Sequence, residues 1–423
     1  MTAQPHVKQP KNAPLQRSKK DLIATAAISV AAALGVGTVW ATAPITKSEL
    51  TPATQTVSAN EALSAPPEKL HEVWRADSPA IPALRRPLVI EGLTITATGG
   101  TLTARNSADG AEVWRYERDV ELCSLSAGFS SIVATYRNSA GCGDVTQINA
   151  KTGTYRATRS APNSTAVVPI SSNDRVGVVS PEHVELWRSD LVRTVEYGDK
   201  EAKQEPGMQP HEDCTISSAM TRKELLAVME TCPDQPNNSM LRFQATTPED
   251  SRKPKIKADV AVPGTDAQLI GIGQTLAAVY IPSSPPHLIA YDESGKEKAR
   301  HEVQESPLVT QHLQSNTGEA FAPETADLPH HMTWFDGERI YLLNPSTLAI
   351  QKVFAGALGT GAAVGDRIIF PVPNGIAVGN WENGAIERTI PVDRGDYSGP
   401  VSIAVSGKTV VEKRGDTLVG LSV

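Results

Sequence analysis

Short runs in which apolar and polar residues alternate, each closed by a polar turn, cover most of the chain after residue 70. The clearest unit is LTARNSADGAEVWRYE, residues 102–117: a strand, a turn at Asp109-Gly110, and a second strand. Alternation with period two turns one face of a strand inward, and Asp-Gly supplies the backbone angles of a tight hairpin. Weaker relatives lie at 146–158 (TQINAKTGTYRAT), 241–256 (LRFQATTPEDSRKPKI), 288–300 (LIAYDESGKEKAR), 341–353 (YLLNPSTLAIQKV) and 376–390 (IAVGNWENGAIERTI). Further turn markers are Thr152-Gly153, Ser189-Asp190, Pro248-Glu249, Ser294-Gly295, Pro345-Ser346 and Asn383-Gly384. A hairpin recurring at roughly 40-residue spacing marks a radial or stacked all-β array.

Seven hairpins are complete and two half-units remain. HEVWRAD at 71–77 reads as a second half without a first, and TLVGLSV at 417–423 as a first half without a second. Joined, they make an eighth unit from the two ends of the domain. Residues 70–423 then divide into eight units of about 44 residues, the size of a four-stranded blade. Pairing both ends in one sheet closes the ring and removes its edges. The pattern therefore predicts an all-β, eight-bladed β-propeller, with seven blades as the alternative. The related phrases at 71–77, 111–117 (AEVWRYE) and 184–190 (VELWRSD) predict Trp74, Trp114 and Trp187 at equivalent positions, packed between blades. Insertions at 197–213 and 304–331 absorb the uneven steps and are the candidate contact segments.

The N-terminus sets the compartment. Residues 22–43 (LIATAAISVAAALGVGTVWATA) carry no charge and are long enough, as a helix, to span about 30 Å of hydrocarbon. Residues 1–21 are basic before that span, which predicts a cytoplasmic tail and a body outside. The expected layout is tail 1–21, signal-anchor helix 22–43, flexible linker 44–69 and propeller 70–423. The alternative is a cleaved signal peptide, since Ala41-Thr42-Ala43 has the small residues of a cleavage site. The long apolar run and Pro44 directly after the cut favour the anchor. Either reading places the body outside the cytoplasm, at the cell membrane or secreted.

The four cysteines agree with an oxidising compartment. Cys123 and Cys214 each open a strand-like run, and Cys142 and Cys232 each lie just beyond the following strand. The start of one hairpin strand and the end of the next meet at one end. This predicts Cys123–Cys142 and Cys214–Cys232, each within one repeat. Close Cys-x-x-Cys pairs, which a structural zinc site favours, are lacking.

Net charge is −7; residues 1–20 hold five Lys or Arg and no acid, leaving −12 on the rest. So acidic a body is a poor nucleic-acid binder. His330-His331 and His211-Glu212-Asp213 are polar loop positions, expected to be solvated rather than metal-binding. Gly271-Ile272-Gly273 lacks the third glycine and helix of a dinucleotide motif, and Gly359–Gly365 lacks a following Lys-Ser/Thr. No Gly-x-Ser-x-Gly elbow occurs. No catalytic, cofactor or metal residue is predicted.

The unit A-x-x-x-x-[DT]-G-x-x-x-W, seen from Ala104 to Trp114, resembles the pyrroloquinoline-quinone (PQQ)-like repeat. One branch of that family is dehydrogenases with PQQ and Ca²⁺ on the propeller axis. Another is non-catalytic and includes the propeller of the outer-membrane barrel-assembly machinery. The layout is also similar to membrane-anchored PQQ-like propellers of actinobacterial envelopes. The enzymatic branch implies adjacent cysteines beside the cofactor and many Trp docking motifs; here no two cysteines are adjacent and there are six Trp. The resemblance implies a non-catalytic, membrane-anchored interaction scaffold with an envelope or membrane protein partner and no cofactor. The alternative it implies is a quinoprotein-like dehydrogenase, or a small-ligand binder using the central channel.

Overall fold

The computed structural model describes residues 18–57, 61–81, 83–199, 203, 205–315 and 317–423. Most of the basic tail, residues 1–17, lies outside the described residues. The chain forms two compact units, residues 1–48 and 49–423.

In the first unit, helix α1 runs Lys19–Thr42. Ser18 caps it reciprocally with Asp21: the Ser18 hydroxyl accepts from the Asp21 N–H, and the Asp21 carboxylate accepts from the Ser18 N–H. Its apolar residues are exposed all round and none is buried. By length and composition the helix could cross a membrane.

The second unit is an eight-bladed propeller. Each blade is a four-stranded antiparallel meander, first strand innermost. All seven turn markers read from the sequence fall between the third and fourth strands of a blade. Blade 8 is built from both ends: three strands from Val401 to Ser422, then His71–Asp77 as the outer strand, paired Trp74 to Gly420 and Asp77 to Thr417. Its closure is the predicted one.

The core is a ring of eight clusters, one at each blade–blade interface. Between blades 4 and 5, fourteen buried side chains meet, among them Leu241, Phe243, Val279 and Ile289. The seam between blades 8 and 1 is the thinnest: Trp74, Val411 and Leu418. There Trp74 Nε1 donates to the Ser107 carbonyl at 2.8 Å, and Trp114 Nε1 likewise reaches the Ala150 carbonyl of blade 2 at 2.6 Å. Each ring slides beneath the turn glycine of the next blade. Gly110 has φ +74°, and a Cβ there would lie 2.7 Å from the Trp74 side chain. The turn must be glycine for both reasons.

Trp187 differs from the expectation. It sits on the third strand of blade 3 (His183–Trp187), not the fourth, and packs against blade 2 in the cluster that holds Cys123 and Cys142. The phrase VELWRSD copies the composition of the unit without its register. Both disulfides form as paired in the sequence.

Part of the segment read as linker is laid on the ring. Glu49–Thr51 adds a fifth strand to the outer edge of blade 1, Leu50 opposite Tyr116. Leu50, Ala53 and Val57 pack on the cluster of blades 1 and 2, and Leu63 and Leu70 on that of blades 7 and 8. Residues 58–60 lie outside the described residues. Strand addition needs backbone groups rather than a side-chain pattern, so composition alone reads such a segment as free.

Candidate functional site: the blind central channel

Antiparallel meanders put all first-to-second and third-to-fourth turns on one face of the ring, here the turn face. The blade-to-blade connections lie on the other. Two connections fold back into the axis from that second face.

The first is residues 78–87, between the outer strand of blade 8 and blade 1. It is pinned at its start by Ser78 N–H to the Asp416 carbonyl (2.8 Å), by Ala80 N–H to the Asp416 carboxylate (3.2 Å), and by Lys413 Nζ donating to the Ser78 carbonyl. A turn closed by an Ile81–Leu84 bridge then carries Ala83, with φ +58°, onto the cluster of blades 3 and 4 across the ring. Arg85 pairs with Glu324 of blade 6 at 3.1 Å, and Arg86 donates to the Thr325 carbonyl at 2.5 Å.

The second is the insertion at 304–331. Helix α2, Pro307–Ser315, starts at Ser306, whose hydroxyl accepts from the Val309 N–H. The chain beyond it enters the axis and pairs in parallel with blade 4: Phe321 N–H donates to the Ser217 carbonyl at 2.7 Å. Asn316 lies outside the described residues.

Together these segments floor a cavity of about 520 Å³, walled by the first strands of blades 3 and 4 and rimmed by Asn173, Asp174 and Lys223 on the turn face. Its charges are Arg86, Arg222 and Lys223 against Asp174 and Asp327. Arg222 holds Asp327 at 2.6 Å, and Lys223 lies 3.5 Å from Asp174. Burial pulls the Arg86 guanidinium below its usual range, offset in part by Glu324 and Asp327. Burial pushes the Glu324 carboxyl up, against the pull of Arg85 and Arg86.

The donor set does not suit a quinone–Ca²⁺ pair. Ca²⁺ needs several free oxygen ligands, and both carboxylates of the pocket are already engaged by cations. Neither disulfide joins adjacent residues, and no Trp lines the pocket.

The remaining sequence candidates fall elsewhere. His330 is exposed, as expected of a loop position, and His331 is half-buried; the two rings lie 5.9 and 5.8 Å from Trp381. Gly271 and Gly273 lie on and just after the first strand of blade 5, and Gly359–Gly365 leads into blade 7. The insertion at 197–213 folds back over the outer strand of blade 3: the Gln209 side chain accepts from the Gly198 N–H and donates to the Glu196 carbonyl. Residues 200–202 and 204 lie outside the described residues.

His211 is also not a free loop residue. It lies half-buried, with Nδ1 3.4 Å from an Arg242 amino group. Arg242 donates Nε to Glu230 at 2.7 Å, and the Tyr197 hydroxyl reaches the same carboxylate at 2.8 Å. Potential ligand atoms of His211, Cys214 and Glu230 lie within 4.8 Å of one another. Cys214 is committed to a disulfide and Arg242 occupies the space beside Glu230 and His211, so the group does not suit a cation. Glu230 carried one sequence signal, a lone charge inside the apolar run LLAVMET. Its partners Arg242 and Tyr197 are on other strands and carried none.

The ring is therefore an eight-bladed propeller with a closed axis. A family model described as outer membrane protein assembly factor BamB matches residues 62–184, from the segment before the outer strand of blade 8 to the third strand of blade 3. The ring fits a PQQ-like repeat propeller. No curated protein sequence matches the chain. Among solved structures, the chain is similar to quinohemoprotein alcohol dehydrogenase ADHIIG from Pseudomonas putida HK5 (TM-score 0.51, 10% identity, covering 84% of this chain and 76% of that one). It is also similar to the computationally designed Ika8 protein (TM-score 0.51, 10% identity, 87% and 100%) and to BamB from Moraxella catarrhalis (TM-score 0.47, 12% identity, 84% and 100%). At these identities the first two likenesses show the fold alone.

Proposed function

We propose that the protein is a non-catalytic interaction module of the cell envelope. Residues 1–21 form its cytoplasmic tail, the apolar helix anchors it, and the propeller stands outside the cytoplasm. The observation that carries this reading is the occupied axis. Ala83, Arg85 and Arg86, with residues 320–325, enter from one face the channel in which a propeller enzyme would hold a cofactor. What the ring offers instead is a rigid frame with charged turns around a blind pocket, suited to contacts with another protein. Crosslinking in intact membranes, followed by mass spectrometry, tests this. Recovery of one stable envelope partner linked to the ring supports it, and recovery of none overturns it.

A second reading rests on the pocket itself. At about 520 Å³ it falls within the range of small-ligand sites. Excess PQQ with Ca²⁺ would raise the melting temperature if the pocket took a quinone. An unchanged melting curve removes the quinone version of this reading.

A further inference from the structure

The two disulfides sit in different chemical surroundings. Cys123 and Cys142 are both buried in the core between blades 2 and 3, where Val133, Val176 and Trp187 surround them. The atom facing Cys142 Sγ is the Thr165 carbonyl oxygen, 3.1 Å away. Both cysteines are buried, which opposes the approach of an attacking thiolate.

Cys214–Cys232 is asymmetric. Cys214 is half-exposed at the end of the 197–213 insertion, and Cys232 is buried at the end of the second strand of blade 4. Cys232 Sγ lies 3.6 Å from an amino group of Arg242 and 3.6 Å from Glu230 Oε1. His211 stands beside Cys214. A less buried cysteine, a buried sulfur next to a guanidinium, and an imidazole by the first sulfur are features that favour thiol–disulfide exchange. A purely structural bond needs none of them. Glu230 is also tied to Tyr197 and Arg242, which join blades 3 and 4, but that role does not call for the sulfur contact.

We propose that Cys214–Cys232 is a redox-active disulfide that exchanges with a protein dithiol, while Cys123–Cys142 is structural. The partner's first thiol gives its proton to solvent, and its thiolate attacks Cys214 Sγ, on the less buried residue of the pair. The Cys214–Cys232 bond breaks, and its electron pair stays on Cys232, beside Arg242. Glu230 passes a proton to that sulfur and is reprotonated from the solvent that took the first thiol's proton, leaving a Cys232 thiol and a mixed disulfide between the partner and Cys214. The partner's second thiol loses its proton to His211 and attacks its own sulfur in the mixed disulfide. Cys214 leaves and takes that proton back. In sum the partner dithiol becomes a disulfide, and two electrons and two protons reach Cys214 and Cys232. An oxidised partner runs the same steps backwards. This inference does not depend on the scaffold reading.

The groups facing Glu230 are Arg242 on the third strand of blade 4, Asp259 on the fourth through Arg242, Tyr197 of blade 3, and His211 of the insertion. Burial pushes the Glu230 carboxyl up while Arg242 and Tyr197 pull it down; burial and Arg242 both hold His211 below its ordinary range.

The test uses the full-length protein in detergent with dithiothreitol as the dithiol, alkylation at timed intervals and peptide mapping of each pair. The expected result is reduction of Cys214–Cys232 in the folded protein at least roughly tenfold faster than Cys123–Cys142. Glu230→Gln should slow that step and flatten its dependence on pH. Cys232→Ser should leave a Cys214 thiol that, offered oxidised glutathione, displaces one glutathione thiolate and keeps the other as a mixed disulfide. The proposal is overturned if both bonds open only at the rate of global unfolding. It is equally overturned if Glu230→Gln, when folded, reacts with the wild-type rate and pH profile. Should that variant fail to fold, the comparison of the two wild-type bonds decides alone.

Discussion

Removing the Trp74 ring should open the propeller at its seam. The interface between blades 8 and 1 has three buried apolar side chains, where that between blades 4 and 5 has fourteen. Trp74 is the largest of the three and also supplies the hydrogen bond to Ser107. Large-to-small replacement of a buried Trp costs about 3–5 kcal/mol, set against a whole-domain stability of roughly 5–15 kcal/mol. Gly110→Ala attacks the same contact from the other side. Its φ of +74° costs an L-residue about 1–2 kcal/mol, and the new Cβ would press on a Trp74 side chain 2.7 Å away. With the ring present, neither strand nor turn can yield; with Trp74→Ala, the strand can retreat. The double variant should therefore be less destabilised than the sum of the singles, with a coupling in the range of about 0.5–3 kcal/mol. Guanidinium unfolding followed by circular dichroism measures each corner of the cycle. Hydrogen exchange should show strands 71–77 and 417–422 opening first in Trp74→Ala. Strict additivity, or a Trp74→Ala cost under about 1 kcal/mol, would refute the view that this ring latches the seam.

Replacing Cys123 and Cys142 together by Ala should cost about 3 kcal/mol, since the bond closes a loop of separation 19; a melting curve equal to the parent's would contradict that. His312 packs at 5.2 Å from Phe321, and burial and Arg85 both hold its imidazole below its ordinary range. The unfolded chain then binds more protons below about pH 6.5, so stability should fall on acidification through that range, and His312→Gln should remove its share of the fall in thermal melts. Glu324 has the opposite sign of shift: its folded carboxyl holds a proton to higher pH than the unfolded one. Its contribution to stability should decline as pH rises above the ordinary carboxyl range, and Glu324→Gln should flatten that slope in pH-dependent unfolding.

The ring was legible because its signals are local. Turn residues such as Asp109-Gly110 and Asn383-Gly384 must occupy hairpin positions wherever the blades stack, so they reported the blade count directly. The closing strand could be read because 71–77 and 417–423 were incomplete units. Register was less secure: Trp187 shares its neighbours' composition with Trp74 and Trp114, yet sits one strand earlier. The axial segments were hidden for a different reason. Ala83, Arg85, Arg86 and Phe321 gain their meaning only from partners on blades 3, 4 and 6, far away in sequence. No periodicity encodes such a contact. The same holds for Glu230, whose burial is visible as an odd charge in an apolar strand but whose Arg242 and Tyr197 partners are not.

The axial segments and the added rim strand Glu49–Thr51 both cover strand edges that the ring leaves open. An eight-bladed ring leaves a wider axis than its first strands can fill, and the innermost strands each present an unpaired edge to it. Here Phe321 supplies backbone to the inner edge of blade 4, while Ala83 fills apolar space across the axis. On the rim, Glu49–Thr51 pairs with the outer edge of blade 1, next to the seam that has the smallest core. Both additions are extended segments from connections, and both stiffen the frame without adding a blade. A frame whose axis is filled by its own chain, with ion pairs such as Arg85–Glu324 fixing the filler, is organised for rigidity rather than for passage of a ligand through the ring. The chemistry that remains open to solvent then lies at the turn-face pocket and at Cys214, and those two places are where perturbation should alter function without unfolding the ring.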